Sequence, residues 1–254
     1  HVPSFIQGGP CFLPPTPRYF TTTALPYDVD LSAPAPREWL AFLQTIWADD
    51  AESIEALRRW FGYVLLPDTS EQKILMLVGP KRSGKGTISR ILTAVIGKQN
   101  VAGPTLASLS DRFGLSQLLD KTLAVIADAR LSGRSDAAVI AERLLAVSGE
   151  DAQSIDRKNL SPITCTLPTR FMVMTNETPR IADSSGALAS RFIILRTAIS
   201  TRAGCLVIAA AKADSKTRVS STFIIRHMAW IALTCAARPA ICVVSNVGSS
   251  GGES

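Results

Sequence analysis

Residues Lys73 to Gly97, KILMLVGPKRSGKGTISRILTAVIG, constrain this chain more than any other stretch. Lys73 to Val78 is a short apolar run rich in Ile, Leu and Val, the composition of a buried strand. Gly79-Pro80-Lys81-Arg82-Ser83-Gly84-Lys85-Gly86-Thr87 then turns the chain. Ile88, Ile91, Leu92, Val95 and Ile96 recur at helical spacing, and Gly97 stands where a C-cap glycine belongs. Strand, glycine-framed loop and helix in this order form the context of a Walker A pattern.

That pattern suits a triphosphate. Successive backbone N–H groups at a helix N-terminus make a concave anion site, and Gly79 and Gly84 let the backbone approach without a side chain intervening. Lys85 reaches the outer phosphates as a point charge, and a hydroxyl helps to hold Mg²⁺. Gly86 occupies the usual Ser/Thr position, so the metal-facing hydroxyl is expected from Thr87. The whole run from Gly79 to Thr87 is the expected nucleotide cradle.

The 254 residues suffice for one large domain, or for a main domain with a smaller partner, and 46% hydrophobic content is ample for a core. A net charge of +6 suits a nucleic-acid partner without requiring one. Five scattered cysteines show no metal-ligand spacing and read as reduced thiols of a cytoplasmic protein. No apolar run approaches a membrane span, and no signal peptide is recognisable. A chain starting on His1 is read as beginning inside a longer reading frame.

Residues 1–35 read as an extended lead-in, with a short strand near Arg18 to Thr22. In residues 36–70, Trp39, Leu40, Phe42, Leu43, Ile46 and Trp47 share one helical face. Ile54, Leu57, Trp60, Phe61 and Val64 share another after Asp49-Asp50. Core packing accounts for Trp39, Trp47 and Trp60 more simply than base stacking does. Ser108 to Asp120 reads as helix, and Lys121 to Ala127 as a second buried strand with Asp128 at its end, a Walker B pattern that binds Mg²⁺. Ala129 and Arg130 follow where a glutamate usually polarises water, which leaves Glu142, Glu150 and Glu177 as candidate bases.

Ala137 to Val147 is a further helix. The polar segment with Arg157-Lys158-Asn159 reads either as a solvated hairpin or as one presenting Arg157 and Lys158 to a phosphate backbone. Arg170 to Thr175 is a third strand. Asn176 after it either orients water at the carboxyl edge of the sheet or begins a turn. Arg191, before a short strand from Phe192 to Leu195, is either a surface charge or an arginine finger.

GPKRSGKGT, FGLSQLLDKTLAVIADARLS, ERLLAVSGEDAQSIDRKN and LPTRFMVMTNETPRIADSSGALASRFIIL together resemble the phage/plasmid primase-helicase family with its superfamily 3 helicase domain, related to the poxvirus primase-helicase. The resemblance runs from about Phe12 through Leu195 and includes WLAFLQTIW and FGYVLLPDTSEQK. It implies an α/β fold, an AAA+-like P-loop NTPase of three α/β/α layers on a parallel sheet, preceded by a small helical region. ATP and Mg²⁺ as cofactors, single-stranded DNA as partner, a hexameric ring and an upstream primase module are implied with it. Lys85 and Thr87 match the Walker A, Asp128 the Walker B acid, Asn176 the sensor, and Ser148 to Lys158 the segment linked to DNA contact. Arg191 is the preferred arginine finger, with Arg180 as alternative. The core is thus expected over residues 71–197.

From residue 198 the likeness stops. Asp214 and Glu253 are the only acids there, alongside Cys205, Cys235 and Cys242, a composition that frame-shifted translation often gives. The alternative is a divergent native region that packs HMAWIALTCAA as a helix. Two other function classes stand beside the helicase reading. Gly-Lys-Gly-Thr also occurs in adenylate kinases, although their loop lies near the chain start and a lid follows it. The absent acid after Asp128 also fits a non-catalytic, nucleotide-dependent DNA-binding factor.

Overall fold

The computed structural model describes residues 2–6, 9–13, 23–25, 27, 34–66, 68–127, 129, 137–177 and 186–198. Strands β1 (Val2–Ile6) and β2 (Gly9–Leu13) pair antiparallel in the lead-in. The strand expected near Arg18 to Thr22 lies outside the described residues.

Two amphipathic helices follow, α1 (Arg37–Ile46) and α2 (Ala51–Leu65). Asp50 caps α2, accepting from the Ser53 backbone N–H at 2.9 Å. Trp39, Phe42, Leu43, Ile46, Trp47, Leu57, Trp60 and Phe61 are all buried, so these aromatics are core. Trp39 stacks on Phe42 and Phe61 at ring separations of 5.5 and 6.1 Å. Leu40, expected on the same face, is 36% exposed.

The central sheet is assembled from β3 (Ile74–Val78), β4 (Val101–Ala102), β5 (Leu123–Ile126), β8 (Arg170–Thr175) and β9 (Phe192–Arg196). Its order is β4-β5-β8-β3-β9, and every pairing is parallel. Strand β3 is buried on both faces, as its unbroken apolar run requires. Leu75 and Leu77 join α1, α2 and α3 (Lys85–Ile96) in one core. Ile74, Met76 and Val78 point to the other face, toward α4 (Leu106–Ser110) and α5 (Ala137–Ser148). This gives the three layers expected of the fold class.

One expected helix is broken. Ser108 to Asp120 holds only the end of α4 and then a 3-10 turn over Gly114–Leu118. The Arg143 guanidinium on α5 donates to the carbonyls of Leu109 and Asp111, acceptors that a continuing helix would have bonded four residues ahead. The break is therefore set by a tertiary contact that local periodicity does not contain.

Between α5 and β8, β6 (Gln153–Arg157) and β7 (Leu160–Cys165) form an antiparallel hairpin through a two-residue turn at Lys158-Asn159. The short helix α6 (Ala187–Arg191) leads into β9.

Candidate nucleotide-binding site

Parallel strands align their carboxyl ends, and β3, β8 and β9 bring Val78, Thr175 and Arg196 together at one edge. The loop from Gly79 to Gly84 rises from that edge and feeds α3. The Gly79 N–H donates to Thr175 O at 3.2 Å, and a Cβ on Gly79 would strike the backbone of Thr197. Gly84 takes φ 89°, and a Cβ there would lie 2.6 Å from Ile46 Cδ1. The loop is thus walled by α1 on one side and by the end of β9 on the other. Trp47 Nε1 donates to Arg196 O at 2.7 Å and ties the two walls together.

Pro80, Lys81, Arg82 and Gly86 are exposed, whereas Ser83 is buried. Lys85 opens α3, and its Nζ donates to Gly79 O, to Pro80 O at 2.8 Å, to Ser83 Oγ at 3.2 Å and to Asn176 Oδ1 at 3.5 Å. Burial holds its ammonium below the ordinary lysine value. Two residues that the sequence singled out 91 positions apart therefore meet at the carboxyl edge. The first-turn N–H groups of the 12-residue α3 point toward the same place, where the helix dipole favours an anion. Thr87 is in that first turn, with its hydroxyl accepting from Arg90 NH2 at 3.1 Å.

Asp128 lies outside the described residues, as does Arg180. The flanking Ala129 is described, and its N–H donates to Met174 O at 3.1 Å, joining the chain after β5 to the end of β8. Among the described residues no group of three or more His, Cys, Asp or Glu is placed to hold a metal.

Other candidate residues lie away from this edge. Arg191 stands at the amino end of β9, and its NH1 donates to Leu145 O and to Ser148 Oγ, both at 2.8 Å. Five residues of strand separate it from the loop, roughly 16 Å at about 3.3 Å per residue. Glu150 is also at the amino edge, where Thr69 donates to its carboxylate. Glu142 is exposed on α5, and Glu177 directly follows Asn176. Arg157 and Lys158 sit at the hairpin tip. Arg157 donates from Nε and NH2 to Ser161 O at 3.1 and 2.7 Å, and Lys158 is exposed.

Three features carried no sequence signal. Thr197 and Ile46 become loop walls only once β9 and α1 flank the loop. Arg112 pairs with Asp156 of the hairpin at 2.7 Å and lies over the ring of Phe113, which is 42% exposed.

A phosphate-type loop at the carboxyl edge of a five-stranded parallel sheet, with helices on both faces, decides the architecture. The fold is that of a P-loop NTPase. Solved structures of the NrS-1 C-terminal region share it. The NrS-1 C-terminal region in its A form aligns at TM-score 0.56 and 16% identity over 89% of this chain and 52% of its own. A second structure of that region, residues 305–718, aligns at 0.55 and 17% over 91% and 58%. JCV helicase aligns more loosely, at 0.49 and 17% over 81% and 56%. Residues 77–191 match a family of unknown function, DUF5906. The uncharacterised mitochondrial protein ymf21 of Marchantia polymorpha is 24% identical over 112 residues, covering 40% of this chain and 62% of that protein. The chain spans little more than half the length of the NrS-1 region it matches. No helix among the described residues is long and apolar enough to cross a membrane.

Proposed function

We propose that this chain is the ATPase core of a DNA helicase from a phage- or plasmid-type replication protein, coupling ATP hydrolysis to movement on single-stranded DNA. The observation that carries this reading is the meeting of Lys85 and Asn176 at the carboxyl edge of the sheet. A lysine on the phosphate loop and an amide on the neighbouring strand are the groups needed to hold a terminal phosphate and to orient what attacks it. The residues from Gly79 to Thr87 cradle the phosphates. Mg²⁺ would be held by the Thr87 hydroxyl and Asp128 together with phosphate oxygens, and when bound it neutralises charge on those oxygens. A cation held mainly by phosphates does not need a dense acidic cluster, which suits the donor set here.

Turnover is assigned to an oligomeric ring, the hexamer implied by the sequence resemblance. Arg191 lies too far from its own chain's loop to serve it, so the finger role is assigned toward a neighbour's nucleotide, and Arg191 would have to leave Leu145 O and Ser148 Oγ to fill it. DNA contact is assigned to the β6–β7 tip, through Arg157 and Lys158. The exposed Phe113 beside Arg112 extends that surface with a stacking face, because Arg112 is salt-bridged to the hairpin. A primase module upstream in the full protein belongs to the same reading.

The test is steady-state ATP hydrolysis by the purified chain with and without single-stranded DNA, beside Lys85→Ala. Stimulation by DNA that disappears in the variant supports a motor. Binding of ATP with no hydrolysis under either condition favours the second reading, a nucleotide-dependent DNA-binding factor, for which the absence of an acid after Asp128 speaks. Adenylate-dependent phosphoryl transfer would favour the kinase class instead.

A further inference from the structure

Ser83 in the phosphate loop and Thr197 just after β9 are each 2% exposed, and they come from positions 114 apart in the chain. Their oxygens are 2.6 Å apart. Their other partners favour one direction for the bond between them. The Lys85 ammonium can only donate, so Ser83 Oγ accepts from it at 3.2 Å. The Val78 carbonyl can only accept, so the Thr197 hydroxyl donates to it at 3.4 Å, while the Thr197 N–H reaches the same oxygen at 2.8 Å. The Ser83 proton is then the one that lies between the two hydroxyl oxygens.

The result is a one-way chain: Lys85 Nζ to Ser83 Oγ, to Thr197 Oγ1, to the last carbonyl of β3. We propose that Thr197 is a positioning residue for the phosphate-loop lysine, acting through Ser83. It fixes the Ser83 hydroxyl with its lone pairs toward Lys85, so that the ammonium is aimed before a phosphate arrives. Without the Thr197 oxygen, the Ser83 proton is free to rotate toward the lysine, where it opposes rather than accepts. The backbone supports the same role, since Thr197 O also stands where a Cβ on Gly79 would have to go. This inference rests on the nucleotide-binding reading above.

Thr197→Val and Thr197→Ser separate positioning from packing. Valine keeps the volume and removes the oxygen; serine keeps the oxygen and removes a methyl group. A packing role ranks valine above serine, and a positioning role ranks serine above valine. The measurement is equilibrium binding of a fluorescent ATP analogue with Mg²⁺ to the full-length chain and both variants, with thermal melts alongside. The expected result is about tenfold weaker binding for Thr197→Val, equivalent to about 1.4 kcal/mol, with Thr197→Ser near the parent. Ser83→Ala is expected to weaken binding similarly, and the double variant Ser83→Ala/Thr197→Val no further than either alone. Unchanged binding in Thr197→Val, or a larger loss in Thr197→Ser, overturns the inference. No binding by the parent chain overturns the nucleotide reading and this inference with it. If Thr197→Val melts below the assay temperature, the Ser83→Ala comparison decides by the same criterion.

Discussion

Arg170 shows how much can rest on one side chain away from the site. It opens β8 and is only 3% exposed. Its guanidinium lies over the ring of Tyr63 at 4.9 Å and donates to the carbonyls of Pro168, Leu66 and Asp68. Burial pushes its guanidinium down, opposed by Tyr63, Asp68 and Glu150. Its Nε is buried without a partner. Arg170→Met is expected to cost about 2–4 kcal/mol, because it strands carbonyls that Arg170 now satisfies, and urea unfolding reads that loss as a lower midpoint. Lys85 allows a prediction with a definite sign. The protonated ammonium is the form that holds phosphate, and burial has lowered its pKa from 10.5. ATP affinity should therefore fall with rising pH sooner than an ordinary lysine would make it. A titration from about pH 7 to about pH 10 checks this, and a flat profile across that range contradicts it. The sequence identified Lys85 from the glycine-framed loop between strand and helix, and Asn176 because it follows an apolar strand. Thr197 stayed illegible, since a threonine after a strand carries no signal until the strand order places it beside the loop.

At the scale of elements, the hairpin and the loop behave differently. Ile155 anchors β6 in the core at 1% exposure, whereas Leu160 at the tip is 63% exposed. The tip is thus free to meet a partner while its root is fixed. Arg157→Ala/Lys158→Ala is expected to weaken single-stranded DNA binding and to reduce the salt slope by about 1.4, from two lost phosphate contacts at about 0.7 each. An unchanged slope in anisotropy titrations at several salt concentrations would remove the hairpin from the DNA surface. Gly84→Ala tests the loop wall. It combines a left-handed φ with a clash on Ile46, so nucleotide affinity and melting temperature should fall together. The core helices, the hairpin and four of the five sheet strands were legible from periodicity and turn residues. The two-residue β4 and the N-terminal hairpin were not, because short strands with prolines and glycines carry little pattern. The break after α4 escaped because its cause, Arg143, lies on another helix.

Taken whole, the molecule puts one helical pair, one phosphate loop and one sheet edge in mutual contact. Helix α1 of the region 36–70 walls the candidate site: Phe42 and Ile46 stand against Gly84, and Trp47 donates to Arg196 O. Thr197, the last residue of the expected core, reaches the loop through Ser83. We propose that the segment beyond 198 takes no part in holding phosphate. A chain ended at Ala198 should then bind ATP as the full chain does, and a loss of binding would give that segment a role. The most direct test of the central claim is equilibrium binding of ATP with Mg²⁺ to the full chain, by calorimetry, beside Lys85→Ala. The account predicts saturable one-site binding that the substitution reduces by at least a hundredfold, about 2.7 kcal/mol. Absence of binding by the parent chain, or equal binding by Lys85→Ala, would contradict it.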